Sequence, residues 1–161
     1  MKNIYTFSFL DKASVYNTLP VLFDILYLNM KKIAPSASTY GQAREEWMGQ
    51  VCPAMRKDRR QIILMNHVDI LAGYAQYYTN DSTLMIEEIQ LKPEYQRTRL
   101  LRELCEFMKD ALGDSLTVIQ AYADKRNIAS QKLMQSLGMK IIKTDSRFYL
   151  FEGEIKALRY V

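Results

Sequence analysis

The sequence predicts a single α+β domain, and three observations predict it. Apolar residues recur at helical spacing over 15–32, less regularly over 40–57, and clearly over 97–112. Three runs rich in β-branched, aromatic and other apolar residues follow one another at 61–65, 70–78 and 83–91, joined by turn-forming residues. A short strand, a helix and two more strands then close the chain, with no linker, internal repeat or low-complexity tract. The 161 residues suffice for one compact domain, taken here over 1–161 with 155–161 as a tail.

Taken in order, Ile4, Tyr5, Thr6, Phe7, Ser8 and Phe9 read as a first strand. Asp11 or Ser14 is positioned to cap a helix over 15–32, whose apolar stripe is Val15, Leu19, Leu22, Phe23, Leu26 and Met30. Small residues at 34–39 break it, and a second helix over 40–57 is weakened by Gly41, Gly49 and Pro53. The cluster Arg56, Lys57, Asp58, Arg59 and Arg60 then divides the helical half from the strand-rich half. Turns at Asn66-His67 and at 79–82 make the next three strands antiparallel hairpins. Gly73 interrupts the middle one, the mark of a bulge or a close backbone approach. The helix over 97–112 has Leu100, Leu104, Phe107 and Ala111 in one row, with Leu101, Met108 and Leu112 beside it. A strand over 116–121, a helix over 127–137 closed by Gly138, and strands over 139–144 and 147–152 complete the chain.

Composition excludes several classes of function. With 48 % hydrophobic residues, 11 Tyr, 6 Phe and 1 Trp, the chain is not a disordered one. The longest apolar stretch, 19–30, is interrupted by Pro20, Asp24 and Asn29, so no membrane span is expected. The start Met1-Lys2-Asn3 lacks the layout of a signal peptide, and the expected location is cytoplasmic. Cys52 and Cys105 fit helices without any CxxC, and are expected to be buried free thiols. His67 is the one histidine, so no metal site is expected, and its turn-like setting predicts a surface residue. A net charge of +4 without a readout motif argues against nucleic acid as the partner.

The join between strand 83–91 and helix 97–112 is the most informative place. A strand running through a short loop into a helix aims backbone N–H groups and a positive dipole end at whatever lies above the loop. The loop has no glycine, but Arg97, Arg99 and Arg102 crowd its end. Cations oppose the helix dipole by about 0.3–1 kcal/mol each, so either an anion normally sits there or the arginines extend into water. Glu87 and Glu88 lie in the strand before it, and alternation sends them to opposite faces. By parity Glu87 shares the face of Met85, Ile89 and Leu91, where a carboxylate among apolar groups is suited to accept a proton near neutral pH; a bulge exchanges the two. The other reading is an exposed pair at an edge. Asn127 is a good N-cap for the helix after it.

Two stretches carry a resemblance. Met85-Ile86-Glu87-Glu88-Ile89-Gln90-Leu91-Lys92-Pro93-Glu94-Tyr95-Gln96 resembles the fourth strand and following turn of the GNAT superfamily of N-acetyltransferases. The stretch from Asn127 through Gly138 to Met139 resembles the family's later Asn-helix-Gly-Phe motif, Gly73-Tyr74 matches its usual third-strand glycine, and the order of elements agrees from residue 1 to about 152. The resemblance implies a mixed, mostly antiparallel sheet splayed between the strands of Leu91 and Leu116, flanked by about four helices and holding acetyl-CoA. It implies that Ile89, Gln90 and Leu91 bind the pantetheine arm, and that Gln96, Arg97, Thr98, Arg99, Leu100, Leu101 and Arg102 cradle the pyrophosphate. Asn127 is a further cofactor contact on the same grounds, with Glu87 or Glu88 as the catalytic base. The acceptor implied is a primary amine of a small molecule or peptide, near Tyr27, Tyr40, Glu45, Glu46 and Trp47. A homodimer through the closing strands and the tail is a further expectation.

The chain also departs from the pattern. The family's turn reads Gln/Arg-x-x-Gly-x-Gly/Ala; Gln96 is kept, while the glycine positions fall on Arg99 and Leu101 and a frequent extra glycine falls on Arg97. The tyrosine that often protonates the departing thiolate falls on Met134. These departures define the alternative: a GNAT-fold binding or regulatory module that has lost normal acetyl-CoA binding.

Overall fold

The computed structural model describes residues 4–33, 35–57 and 59–159, which leaves Asp58 of the basic cluster and the last two residues of the tail outside the described part. Among the described residues, β1 (Tyr5–Phe9) leads to α1 (Val15–Ile33) and α2 (Tyr40–Lys57). Then come β2 (Gln61–His67), β3 (Ile70–Asn80), β4 (Thr83–Leu91) and α3 (Leu100–Leu112). The chain continues through β5 (Val118–Asp124), α4 (Ile128–Ser136), β6 (Lys140–Thr144) and β7 (Phe148–Glu154). The strands hydrogen-bond in the order β1-β2-β3-β4-β5-β7-β6. The β4–β5 pair is parallel, while β1–β2, β5–β7 and β6–β7 are antiparallel. The two-residue links on either side of β3 also force antiparallel neighbours. The sheet is therefore mixed and mostly antiparallel, with four α-helices.

The chain divides into two compact units, Met1–Gln76 with Ile89–Thr98, and Tyr77–Glu88 with Arg99–Val161. In the first, α1 and α2 bury Val15, Leu19, Leu22, Ile25, Val51 and Met55 in one cluster with Leu10, Ile62 and Tyr74. The buried stripe of α1 differs from the expected one. Ile25 and Asn29 are buried, and Leu26 and Met30 are only half-buried. Pro20 and Pro53 both lie inside their helices. A proline there costs about 3 kcal/mol in isolation, which tertiary burial of the flanking apolar residues offsets.

In the second unit, α3 buries Leu100, Leu104 and Met108, with Phe107 half-buried and Ala111 exposed. All seven residues of β5 pair with β7, from Val118↔Glu154 to Asp124↔Phe148. Asn127 caps α4 as expected, its side chain accepting from the Ser130 N–H at 3.0 Å. Gly138 follows that helix at φ +91°, a left-handed conformation that glycine adopts without strain.

Three of the boundaries that moved have an evident physical reason. The β2–β3 turn is Val68-Asp69 and not Asn66-His67, because His67 still pairs with Tyr5 on β1; Val68 takes φ +58°, a sterically costly value for a β-branched residue. The expected helix over 97–112 starts only at Leu100, because Gln96 is extended and Arg97 sits at φ +61°. The strand expected over 116–121 runs from Val118 to Asp124, because its ladder with β7 extends to that residue.

Candidate functional site

The site expected from the sequence begins on β4. Pairing of β4 with β5 covers Thr83↔Val118 to Ile86↔Ala121 and stops there, although β5 runs on to Asp124. Glu87 and Glu88 are the next two residues, and both are half-buried. Strand parity does not single out one carboxylate, as the sequence argument had it. Met85 and Ile86 are both buried, so both faces of β4 are covered just before the pair.

The end of the strand is held by side-chain amides. Asn29, buried on α1, donates from Nδ2 to the Leu91 carbonyl at 2.9 Å and to Gln90 Oε1 at 3.0 Å. Gln96 Nε2 donates to the same carbonyl at 3.1 Å and to Asn29 Oδ1 at 3.3 Å. Asn29 escaped the sequence reasoning, which read it only as a break in an apolar run. The available signal was a polar residue on a helix face that is otherwise apolar.

The turn itself rests on an aromatic base. Tyr95 is buried and its hydroxyl lies 3.0 Å from His67 Nδ1, while the rings of Tyr5, His67 and Tyr95 meet at 5.4–6.3 Å between centroids. Thr98 Oγ1 donates to the Tyr95 carbonyl at 2.7 Å, and the Tyr5 hydroxyl donates to Thr98 Oγ1 at 3.5 Å. His67 is thus a half-buried, hydrogen-bonded member of a strand and not the surface turn residue expected.

Past the turn, Arg99 has φ −75°, ψ −2° and its side chain makes no capping bond to α3. The first N–H groups of a helix have no helical carbonyl beneath them. Arg97, Arg99 and Arg102 are exposed around that start, and Arg102 Nε reaches Glu106 Oε1 at 3.4 Å. Leu100 is fully buried, so its side chain serves the core, and Leu101 is half-buried. Asn127 spends its side-chain oxygen on the α4 cap. Met134, on the same helix, carries a thioether that has no proton to donate.

Residues 25–139 match the model of the acetyltransferase (GNAT) family. The chain belongs to that family. Solved GNAT structures share the fold at low sequence identity. The PaiA N-acetyltransferase of Thermoplasma acidophilum, in complex with coenzyme A, is 15 % identical over 92 % of this chain and 99 % of that one, with a TM-score of 0.67. An acetyltransferase of Thermus thermophilus is 13 % identical over 94 % and 97 %, at 0.72. Mutant forms of the spermidine/spermine N-acetyltransferase SpeG of Vibrio cholerae are 11 % identical over 96 % of each chain, at 0.62. No curated protein matches by sequence.

Elsewhere in this GNAT protein, Cys52 and Cys105 are free, as expected, and half-buried where the sequence predicts buried thiols. Burial pushes the Cys105 thiol up to about 11, which keeps it protonated and unreactive at neutral pH. Among the described residues no helix is long and apolar enough to cross a membrane, and no three His, Cys, Asp or Glu side chains gather to hold a metal ion.

Proposed function

We propose that this GNAT protein transfers the acetyl group of acetyl-CoA to a primary amine of a small molecule or a peptide. The observation that carries the reading is the end of β4. Its ladder with β5 stops at Ile86↔Ala121, and nine residues after Leu91 a helix without a side-chain cap begins among three arginines.

The turn suits a pyrophosphate despite its missing glycines. Arg97 already holds the left-handed backbone conformation that a glycine usually supplies, and Arg99 is right-handed, so its Cβ brings no strain there. The guanidinium groups of Arg97 and Arg99 offer charge-assisted hydrogen bonds to phosphate oxygens in addition to the amides of 96–102. Ile89, Gln90 and the N–H of Leu91 offer backbone to the carrier's arm, and the family resemblance adds Asn127 as a contact.

The bound carrier supplies an activated thioester carbonyl. Glu87 or Glu88 takes a proton from the acceptor ammonium through water, and the freed nitrogen bonds to the acetyl carbon as the carbon–sulfur bond breaks. The leaving thiolate takes its proton from water or a tyrosine hydroxyl, because Met134 has none to give. A cationic acceptor suits α1 and α2, where Tyr40 hydrogen-bonds Asp24 and the rings of Phe23, Tyr27, Tyr40 and Trp47 cluster at 5.1–5.8 Å. Glu45 and Glu46 add negative charge on α2.

Met134 is also the observation that favours a second reading, a binding or regulatory module on the same fold without transfer chemistry. A coenzyme A release assay over a panel of amines separates the two. The transferase reading expects amine-dependent thiol release that falls at least about tenfold in Glu87→Gln or Glu88→Gln. Absence of release with every amine, together with no heat on titration with acetyl-CoA, selects the second.

A further inference from the structure

The amide cluster at the end of β4 has a role that neither the fold nor the family assigns. Asn29 lies on α1, separated by 61 and 62 residues from its partners Gln90 and Leu91, and it is the only buried polar residue of that helix among the described residues. Its two donor hydrogens and its oxygen are all used, with the sense of each bond fixed. A flipped amide would set Oδ1 against two oxygens, so the orientation is unique. The Leu91 carbonyl therefore receives two side-chain amides, from Asn29 and from Gln96. Both lone pairs of that carbonyl are engaged inside the protein, and it is withdrawn as an acceptor for any ligand lying along the strand. The same pair of amides ties the last residue of the strand to Gln96, the residue before the left-handed Arg97.

We propose that Asn29 is a positioning residue for the acyl-CoA site: by saturating the Leu91 carbonyl and bracing Gln96, it holds the strand end and the turn at 96–98 in the one conformation that receives the carrier. The proposal rests on the reading of this strand end as the carrier site. It identifies Gln96 as a brace whose amide nitrogen faces the protein, with any contact to the carrier made through its backbone. Asn29 itself touches neither carrier nor acceptor in this scheme.

Isosteric variants test it. Asn29→Asp keeps the shape but replaces the donor by a carboxylate oxygen facing two acceptors, and Asn29→Leu keeps the volume while removing every bond. Coenzyme A affinity is measured by calorimetric titration, thermal unfolding is recorded for each variant, and KM and kcat follow from thiol release. Two hydrogen bonds are lost in Asn29→Asp and three in Asn29→Leu, which corresponds to about a tenfold or greater weakening of coenzyme A affinity in either variant. The rise in KM for acetyl-CoA is expected to exceed any fall in kcat. The exposed Gln96→Ala change, which leaves the core intact, is expected to weaken binding about threefold, and to add little further in an Asn29→Leu background. Folded variants that bind coenzyme A as tightly as wild type overturn the proposal. So do equal, additive losses from Asn29→Leu and Gln96→Ala. Failure of the wild-type protein to bind coenzyme A at all is a distinct result, which removes the carrier reading and this role with it.

Discussion

A Cβ placed on Gly73 would lie 2.4 Å from the carbonyl oxygen of Gln90 and 2.9 Å from Leu91 Cδ2. The middle of β3 and the end of β4 are thus closer than any side-chain-bearing residue allows. The register bond from the Lys92 N–H to the Ala72 carbonyl, at 2.9 Å, pins the same approach. Gly73→Ala forces backbone to move away from backbone, and is expected to lower stability by about 2–3 kcal/mol. Denaturant unfolding checks this, and the loss of coenzyme A affinity is expected to be larger than that of a surface control.

Arg97 tests the cost of the missing glycine. A non-glycine residue in the left-handed region is strained by about 1–2 kcal/mol. Arg97→Gly is therefore expected to unfold at a higher temperature than Arg97→Ala, because alanine keeps the strain and glycine loses it. Equal melting temperatures for the two would show that the turn stores no such strain.

The arginines are not equivalent. Arg102 is paired with Glu106 on the next turn, whereas Arg99 precedes the helix at its uncapped start. Arg99→Ala is expected to weaken coenzyme A binding about threefold or more at low salt, and Arg102→Ala by less. Titrations at two ionic strengths decide it, since an electrostatic contribution shrinks as salt rises.

Acid sensitivity is expected at Asp124. Hydrogen bonds from the Arg126 side chain, at 2.8 and 3.0 Å, hold its carboxyl well below the usual carboxylate range, with the Arg126 N–H at 2.9 Å and Arg147 Nε at 3.3 Å adding to the effect. A carboxylate with a lowered folded pKa contributes stability that is complete above its unfolded value, near about 3.9, and is lost as pH falls below it. Asp124→Asn is expected to cost about 1–2 kcal/mol at pH 7, and the gap between variant and wild type is expected to narrow below about pH 4. Urea unfolding at several pH values measures the narrowing.

The amino-acid pattern by itself determined the kinds of element and their order. Helical spacing placed α1 and α2 to within a residue or two, β4 fell on 83–91 as expected, and the Asn127 cap and the close approach at Gly73 were both legible. These are local signals, carried by residues within a few positions of one another. The tertiary structure alone decided where α3 begins, why His67 is no turn residue, and that Asn29 is buried. Each involves partners far apart along the chain: Tyr5 opposite His67, His67 against Tyr95 in the turn before α3, Leu91 and Gln96 around Asn29. Local propensity marks an asparagine as a flaw in an apolar helix face, and only the carbonyl that the folded strand brings to it turns that flaw into a hydrogen-bonding site.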